Sequence, residues 1–404
     1  MRLLSFIRFH HGWRELKRGN VMLDYLVVIS CCLLCGFSLI LKKQHGNVVL
    51  IPLVILLVIL MGGTYICSDY SMYETMFYAS KYLDFSSFSV EESREVGYSR
   101  DIGYSLLNYI GYVILDDYMI FKFAASALFL SILLMKVSKI TYYVAIPILL
   151  YLYFPFFMDV VEVRNFIGEV FLFLGIYEYV FSTKHKLCKF YIYIMISASI
   201  HSVFAIYTLF PCINALKHNA KKKWLYNFVL IVGLCMPLYE SYILAQIQVY
   251  LNMYQTLVAS PGHFNAYLAQ ANTRFGFIVS YIKVVAIVLL LKYIVGKINN
   301  SENIFTLQQK SYSVTIYDFF LYMCMLFPII GLDATVTRIP RNLFIEVYVV
   351  CSYYFLVLKN AKEKLFFLVV VLGIVSIWAF HDVYMNLDAI INLDKNIILE
   401  YLFL

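Results

Sequence analysis

Apolar segments long enough to cross a membrane recur along the whole chain, and they limit its fold more than any other feature. Roughly 20 predominantly apolar residues suffice for an α-helix to span the hydrocarbon core of a bilayer. The chain is 62% hydrophobic and only 14% charged, which excludes an ordinary soluble domain. These segments predict an all-α, polytopic integral membrane protein with about 10–12 transmembrane helices.

The predicted spans follow the apolar runs, and the basic residues between them set the orientation. We expect spans near residues 21–41, 47–67, 118–135, 140–157, 159–182, 224–241, 275–295, 314–332, 341–358 and 365–381. Lysine clusters mark the cytoplasmic side at 136–139, 184–189, 217–223, 297–310 and 359–364. Two longer connections, about 68–117 and 242–273, are predicted to be outer-side loops.

The domain organisation is expected to be simple: a basic N-terminal segment, 1–20, and a single transmembrane domain, 21–404. The basic segment is interpreted either as an amphipathic surface helix or as an extension upstream of Met22. Span parity places the N-terminus outside, which conflicts with the positive charge of this segment. Within the first outer region, Ile102–Leu115 is expected to form a helix in the membrane interface.

The segment 190–210 is apolar, yet basic residues follow it as well as precede it. A full span would place one of these basic flanks outside, against the usual distribution of charge. We therefore predict a re-entrant helix pair whose apex is the small, polar sequence Ser-Ala-Ser-Ile-His-Ser at 197–202. His201 would then lie near Arg164, although a packed structural histidine is the alternative.

Several arginines fall on the predicted outer side, where Lys and Arg are normally rare. They are Arg164, Arg274, Arg338 and Arg341. Guanidinium groups match phosphate oxygens, so arginines that converge would suit a pyrophosphate. The alternatives are snorkelling at a helix end and pairing with outer carboxylates. Those carboxylates are Asp159, Glu162, Asp333 and Asp382.

Other ligand classes leave no pattern in the sequence. The histidines have no metal-ligand spacing, and Cys32 and Cys35 lie inside an apolar run. We find no phosphate-cradling glycine loop and no dinucleotide fingerprint. The basic residues sit mostly in short loops, so the net charge of +7 does not indicate nucleic-acid binding. We expect neither a metal nor a cofactor.

Four local patterns, in this order, resemble the EpsG/Wzy group of polysaccharide polymerases. They are Gly-Gly-Thr-Tyr-Ile-Cys-Ser-Asp-Tyr-Ser-Met-Tyr at 62–73, Asp-Ile-Gly-Tyr-Ser-Leu-Leu-Asn at 101–108, Val-Arg-Asn-Phe-Ile-Gly at 163–168, and the segment 197–202. The chain departs from the family pattern at Asp101 and Ile102, where the family has Glu and Pro. The agreement covers about 22–210, whereas the second half matches only in hydropathy and in Arg338 or Arg341.

This resemblance implies a repeat-unit polymerase at the outer face of the bacterial inner membrane. Such an enzyme transfers an oligosaccharide chain from undecaprenyl pyrophosphate to the sugar of the next lipid-linked unit. No metal is required if arginines stabilise the leaving group, so we expect a metal-independent glycosyltransferase. A flippase and a chain-length regulator of the same pathway would be its partners.

The resemblance also suggests roles for individual residues. Arg164 is the first candidate for stabilising the leaving pyrophosphate, with Arg338, Arg341 and Arg274 in support. Asp69 and His201 are the candidates for accepting the proton of the acceptor hydroxyl. Tyr73 and Tyr104 would stack on sugar rings, with interfacial packing as the alternative.

Three other functions remain open on the sequence alone. A flippase for the same lipid-linked sugar would also need an arginine-lined cavity, but no base. A transferase like the O-antigen ligases usually has one large outer loop late in the chain. An O-acyltransferase would need a membrane histidine with an Asn or Asp partner in the second half, where no good match exists.

Overall fold

The structure is a computed structural model of the 404-residue chain. It describes residues 43–65, 69–82, 101–235, 239, 274–301, 304–327 and 338–385, and at 43–50, 274–277, 381 and 383–385 it describes the backbone alone. The predicted basic segment 1–20, the first span and the outer loop 242–273 lie outside these residues.

Helices make up almost all of the described chain, and no β-strand occurs within it. In chain order they are α1 (Lys43–Gly63), α2 (Tyr70–Ala79), α3 (Ile102–Leu115), α4 (Tyr118–Ile140), α5 (Ala145–Tyr153), α6 (Phe156–Val161), α7 (Val163–Phe181), α8 (Lys186–Ile200), α9 (Phe210–His218), α10 (Lys223–Leu234), α11 (Arg274–Asn299), α12 (Leu307–Met325), α13 (Arg338–Arg341), α14 (Phe344–Val357) and α15 (Ala361–Met385). Two 3-10 helices add Ser80–Tyr82 and Ser202–Leu209. The all-α prediction is confirmed.

Three helical stretches are long and apolar enough to cross a bilayer: Tyr118–Ile140, Ile278–Asn299 and Ala361–Phe380. Four shorter apolar stretches accompany them, at Ile51–Gly63, Ile102–Leu115, Lys223–Leu234 and Phe344–Val357. This is the helix content of a polytopic membrane protein. The number of spans and their orientation stay predictions.

The helices form a bundle with two distinct ends. At one end, the carbonyl oxygen of Ile140, the last residue of α4, accepts hydrogen bonds from Gln309 Nε2 (3.3 Å) and Tyr353 Oη (2.8 Å). Helices α4 and α14 therefore finish where α12 begins, and we call this the far end. The opposite end holds Arg164, at the start of α7, and is called the site end.

Several helices extend beyond the predicted spans. Helix α4 continues to Ile140, so Lys136 and Lys139 lie in its last turns and not in a loop. The long side chain of a lysine can extend away from the helix that carries it and place its charge at a distance. The Nζ atom of Lys136 accordingly lies 4.3 Å from the ring centroid of Tyr177 on α7. Helix α12 starts at Leu307, because Thr306 and Gln309 cap it reciprocally in a capping box.

One further difference is that a predicted span contains more than one helix. The predicted span 140–157 consists of two short helices, α5 and α6. The hydrophilic region 68–117 contains α2 and α3, which pack together through Tyr73 and Tyr104, whose ring centroids are 5.8 Å apart. Helix α3 has the predicted bounds. Its placement in the membrane interface, and the outer location of the region, stay predictions.

The segment 190–210 reverses direction at His201. Helix α8 ends at Ile200, and a 3-10 helix follows from Ser202. The Tyr179 ring lies beside both Phe190 (5.4 Å) and Phe210 (6.1 Å), so both arms of the segment reach the same level of α7. His201 lies between them in sequence but at the opposite end of α7. The segment therefore has the doubled-back form of the predicted re-entrant pair, with a 3-10 helix as its returning arm.

Candidate functional site

Asp101 connects three elements at the site end. It directly precedes α3, and its Oδ2 accepts a hydrogen bond from Arg164 Nη1 at 3.1 Å. Its Oδ1 accepts from the backbone N–H of Ser202, also at 3.1 Å. One carboxylate therefore holds the start of α3, the start of α7 and the tip of the hairpin together.

His201 lies at this hairpin tip, with Nδ1 3.7 Å from Asp101 Oδ2. The charges of Arg164 and Arg338 both act electrostatically on the ring. The close approach of α3 to the hairpin depends on Gly103, because a Cβ there would lie 2.8 Å from the backbone carbon of Ser199. Asp101 and Gly103 thus explain why the pattern Asp-Ile-Gly-Tyr belongs to the site.

Tyr73 and Tyr104 flank the guanidinium of Arg164. The Arg164 Cζ atom lies 6.0 Å from the Tyr73 ring centroid and 5.9 Å from that of Tyr104. Both tyrosines are buried, and a cation close to two aromatic faces is held electrostatically. Their role in this structure is to support Arg164, while stacking on sugar rings stays a prediction.

Glu162 forms ion pairs with two further arginines. Its Oε1 lies 3.5 Å from Arg338 Nη2, and its Oε2 accepts a hydrogen bond from Arg341 Nη2. Glu162 precedes Arg164 by two residues at the start of α7, so the two groups of charges adjoin. The side chain of Arg338 is 34% exposed, whereas that of Arg341 is 3% exposed.

A third ion pair extends this network behind Arg341. Asp382 Oδ1 accepts a hydrogen bond from Lys283 Nζ at 2.7 Å, and its Oδ2 lies 4.0 Å from Arg341 Nη1. Lys283 Nζ also lies 4.3 Å from the ring centroid of Trp378. Helices α11 and α15 are thereby linked to α13 through buried charge.

The structure brings most of the predicted site residues together. Arg164, Arg338, Arg341, His201, Tyr73 and Tyr104 all lie at the site end. Asp69 lies one helical turn before Tyr73, whose N–H donates to the Asp69 carbonyl oxygen at 3.0 Å. Arg274 begins α11, and its side chain lies outside the described residues. The roles assigned to these residues stay predictions.

Each described arginine of the site has a carboxylate partner, which was the alternative interpretation of these residues. The pairs nevertheless lie close together, because Arg338 and Arg341 share Glu162, which precedes Arg164 by two residues, while Arg164 pairs with Asp101. Sequence reasoning did not assign a role to Asp101 or Lys283. Asp101 had a signal, because it opens the pattern at 101–108, whereas Lys283 had none.

Two cavities lie away from this site. One, of about 440 Å³, is lined by residues near the end of α11, including Lys292, Tyr293 and Lys297. The other, of about 360 Å³, lies at the far end beside Ile140 and Gln309. Within the described ranges, no group of three or more His, Cys, Asp or Glu side chains is arranged to hold a metal. A metal-independent reaction stays a prediction.

Comparison with known proteins extends the family resemblance to both halves of the chain. The model of the EpsG family matches residues 47–394, which include the second half, where the motifs agreed least. No match was found among curated proteins or among solved structures. The matched region contains every described residue of the site, from Asp69 to Asp382. The chain therefore belongs to the EpsG family.

Proposed function

We propose that the chain is a bacterial surface-polysaccharide polymerase that transfers an oligosaccharide chain from undecaprenyl pyrophosphate to the next lipid-linked repeat unit. Membership of the EpsG family supports a role in polysaccharide polymerisation. The observation that carries the proposal is the grouping of Arg164, Arg338 and Arg341 around two carboxylates at one end of the bundle.

The chemistry requires positive charge near the leaving group. The bond from the sugar carbon to the diphosphate oxygen breaks, its electron pair leaves with the diphosphate, and the acceptor oxygen bonds to the same carbon. Guanidinium groups aimed at the diphosphate stabilise the charge that develops in the transition state. Arg164 and Arg338 are partly exposed and reach it first, without need of a metal.

The proton of the acceptor hydroxyl needs a base. A diphosphate that binds Arg164 competes with Asp101 for the guanidinium, so its arrival would free this carboxylate. Asp101 then joins His201 and Asp69 as a candidate base, and it is the carboxylate in contact with Arg164. Because a guanidinium can exchange one anion for another, pairing with a carboxylate is compatible with an anion-binding role.

Charge distribution supports a site on the outer face of the inner membrane. Lysines gather at or near the far end of the bundle. They are Lys136, Lys139, Lys184, Lys186, Lys189, Lys217, Lys221, Lys222, Lys223, Lys297, Lys310, Lys359, Lys362 and Lys364. Cytoplasmic ends are rich in Lys and Arg, so the opposite end faces outwards in a multi-pass topology. There the enzyme would meet the products of a flippase and work with a chain-length regulator.

The proposal is tested with purified protein in lipid vesicles and lipid-linked repeat units. We expect ladders of polymer from the wild type and none from Arg164→Ala. Substrate that changes leaflet but keeps its length would instead indicate a flippase. Product joined only to a different acceptor would indicate a ligase-like transferase.

A further inference from the structure

Two glutamates lie deeper in the bundle than the arginine site, and the proposed reaction does not use them. Glu169 on α7 and Glu346 on α14 are 1% and 0% exposed. None of their four carboxyl oxygens accepts or donates a hydrogen bond to another described residue. A buried carboxyl group without a partner is costly, so this arrangement needs an explanation.

The register of the two helices brings these glutamates towards each other. One turn nearer the site, Asn165 and Asn342 exchange hydrogen bonds through their side-chain amides, at 3.0 and 3.4 Å. Glu169 lies one turn after Asn165 on the same face of α7, and Glu346 lies in the first turn of α14, four residues after Asn342. Both helices run away from the site end. Both glutamates therefore lie just below the amide pair, where Glu346 acts electrostatically on Glu169.

Other titratable groups interact electrostatically with one or both of these glutamates. They are Asp159 on α6, Glu162 and Arg341 at the site, Tyr207 in the hairpin, Tyr312 on α12, and Tyr151 and Tyr348 on α5 and α14. Three of the tyrosine hydroxyls donate elsewhere: Tyr151 to Asp159 Oδ2, Tyr207 to the Ile339 carbonyl and Tyr348 to the Phe154 carbonyl. The nearby cation, Arg341, already binds Glu162.

Two adjacent carboxylates in a water-poor interior cannot both stay ionised. One shared proton resolves the conflict, because a protonated carboxyl group donates to its ionised neighbour. We propose that Glu169 and Glu346 form a proton-sharing carboxyl pair that keeps Arg341 in position on Glu162. Loss of the shared proton would place a second negative charge below Arg341 and draw the guanidinium away from the site.

The first test measures the proton directly and does not depend on the proposed function. Infrared spectra of the full-length protein in lipid nanodiscs should contain a carbonyl band of a protonated carboxyl group that disappears on alkalinisation. We expect Glu169→Gln and Glu346→Gln each to remove this band. Asp159→Asn and the surface variant Glu178→Gln should keep it. A band that persists in both pair variants, or is lost only in Asp159→Asn, would overturn the proposal.

The second test uses the pH profile of polymerisation and rests on the proposed function. Glutamine mimics the protonated carboxyl group and cannot lose a proton. In Glu169→Gln, we expect the pH at which activity falls on the alkaline side to be higher than in the wild type. In Glu169→Ala, we expect the rate of polymerisation to be about tenfold lower or more at every pH, which corresponds to an activation barrier about 1.4 kcal/mol higher. An unchanged alkaline limit in both glutamine variants would contradict the coupling to Arg341. If the wild type makes no polymer, the proposed function fails, while the infrared result still decides the pair.

Discussion

Arg164 and Arg341 are both arginines that the sequence places on the predicted outer side, but they have different surroundings in the structure. The Arg164 side chain is 18% exposed and rests between two tyrosine rings and Asp101. Arg341 is 3% exposed and lies between Glu162 and Asp382. An exposed guanidinium can exchange its carboxylate for a ligand, whereas a buried one mainly holds helices together. We therefore expect Arg164 to bind the ligand and Arg341 to be structural.

The largest expected effect is on stability, at the buried member of this comparison. Arg341→Met leaves Glu162 and Asp382 buried with fewer cations, and breaking a buried ion pair costs about 3–5 kcal/mol. Arg338→Met is the matched control, because Arg338 contacts the same Glu162 from a more exposed position. We expect Arg341→Met to lower the melting temperature of the detergent-solubilised protein clearly, and Arg338→Met to lower it little. Equal melting temperatures for the two variants would show that Arg341 stabilises the protein no more than Arg338 does.

The next largest effect is expected on polymerisation activity, from a substitution of the more exposed arginine, Arg164. Arg164→Lys keeps the charge but loses the planar, two-pronged guanidinium. We expect polymerisation to fall about 100- to 1000-fold, the usual loss when one donor to a developing charge is removed, with unchanged melting temperature. The rate of ladder formation measures this effect. Wild-type rates with Arg164→Lys would exclude Arg164 from the site.

A smaller effect is expected where α3 meets the hairpin. Gly103→Ala places a Cβ against the Ser199 backbone, and overpacking of this kind costs about 1–3 kcal/mol. The change should also disturb Asp101 and with it Arg164, so activity should fall together with the melting temperature. Gly296→Ala is the control, since nothing lies within 4 Å of a Cβ at that position. If Gly103→Ala and Gly296→Ala have the same melting temperature, the close approach of α3 to Ser199 does not constrain the site.

The smallest effect belongs to an ion pair at the far end. Lys189 Nζ lies 2.8 Å from Glu178 Oε2, and the lysine side chain is 44% exposed. Exposed pairs contribute about 0–1 kcal/mol. Lys189→Gln should therefore leave melting temperature and polymerisation close to wild type. A large loss of either would show that charge at the far end matters as much as charge at the site.

Local sequence patterns predicted much of the fold. Apolar length predicted the helices, and Ile102–Leu115 has the predicted bounds because its flanking aspartates and its periodicity are local signals. The polar sequence at 197–202 predicted the reversal at His201. Helix ends were less predictable, because Lys136 and Lys139 remain helical where their charge suggested a loop.

The site was predictable only in part. Arg164, Arg338 and Arg341 were identified because arginine is rare on an outer face. Their carboxylate partners come from distant parts of the chain: Asp101 lies 63 residues before Arg164, and Glu162 lies 179 residues before Arg341. Such pairs leave no local pattern, since the contact depends on how the helices pack.

The amino-acid sequence alone determined that this chain is helical, lies in a membrane and carries arginines at unusual positions, because apolar length and charge act locally. Tertiary structure alone decided which arginine is buried, which carboxylate each one meets and that Glu169 and Glu346 are buried without a hydrogen-bond partner among the described residues. These properties depend on the distance between helices far apart in sequence. In a medium of low dielectric, that distance decides whether a charge is stabilised or must be neutralised.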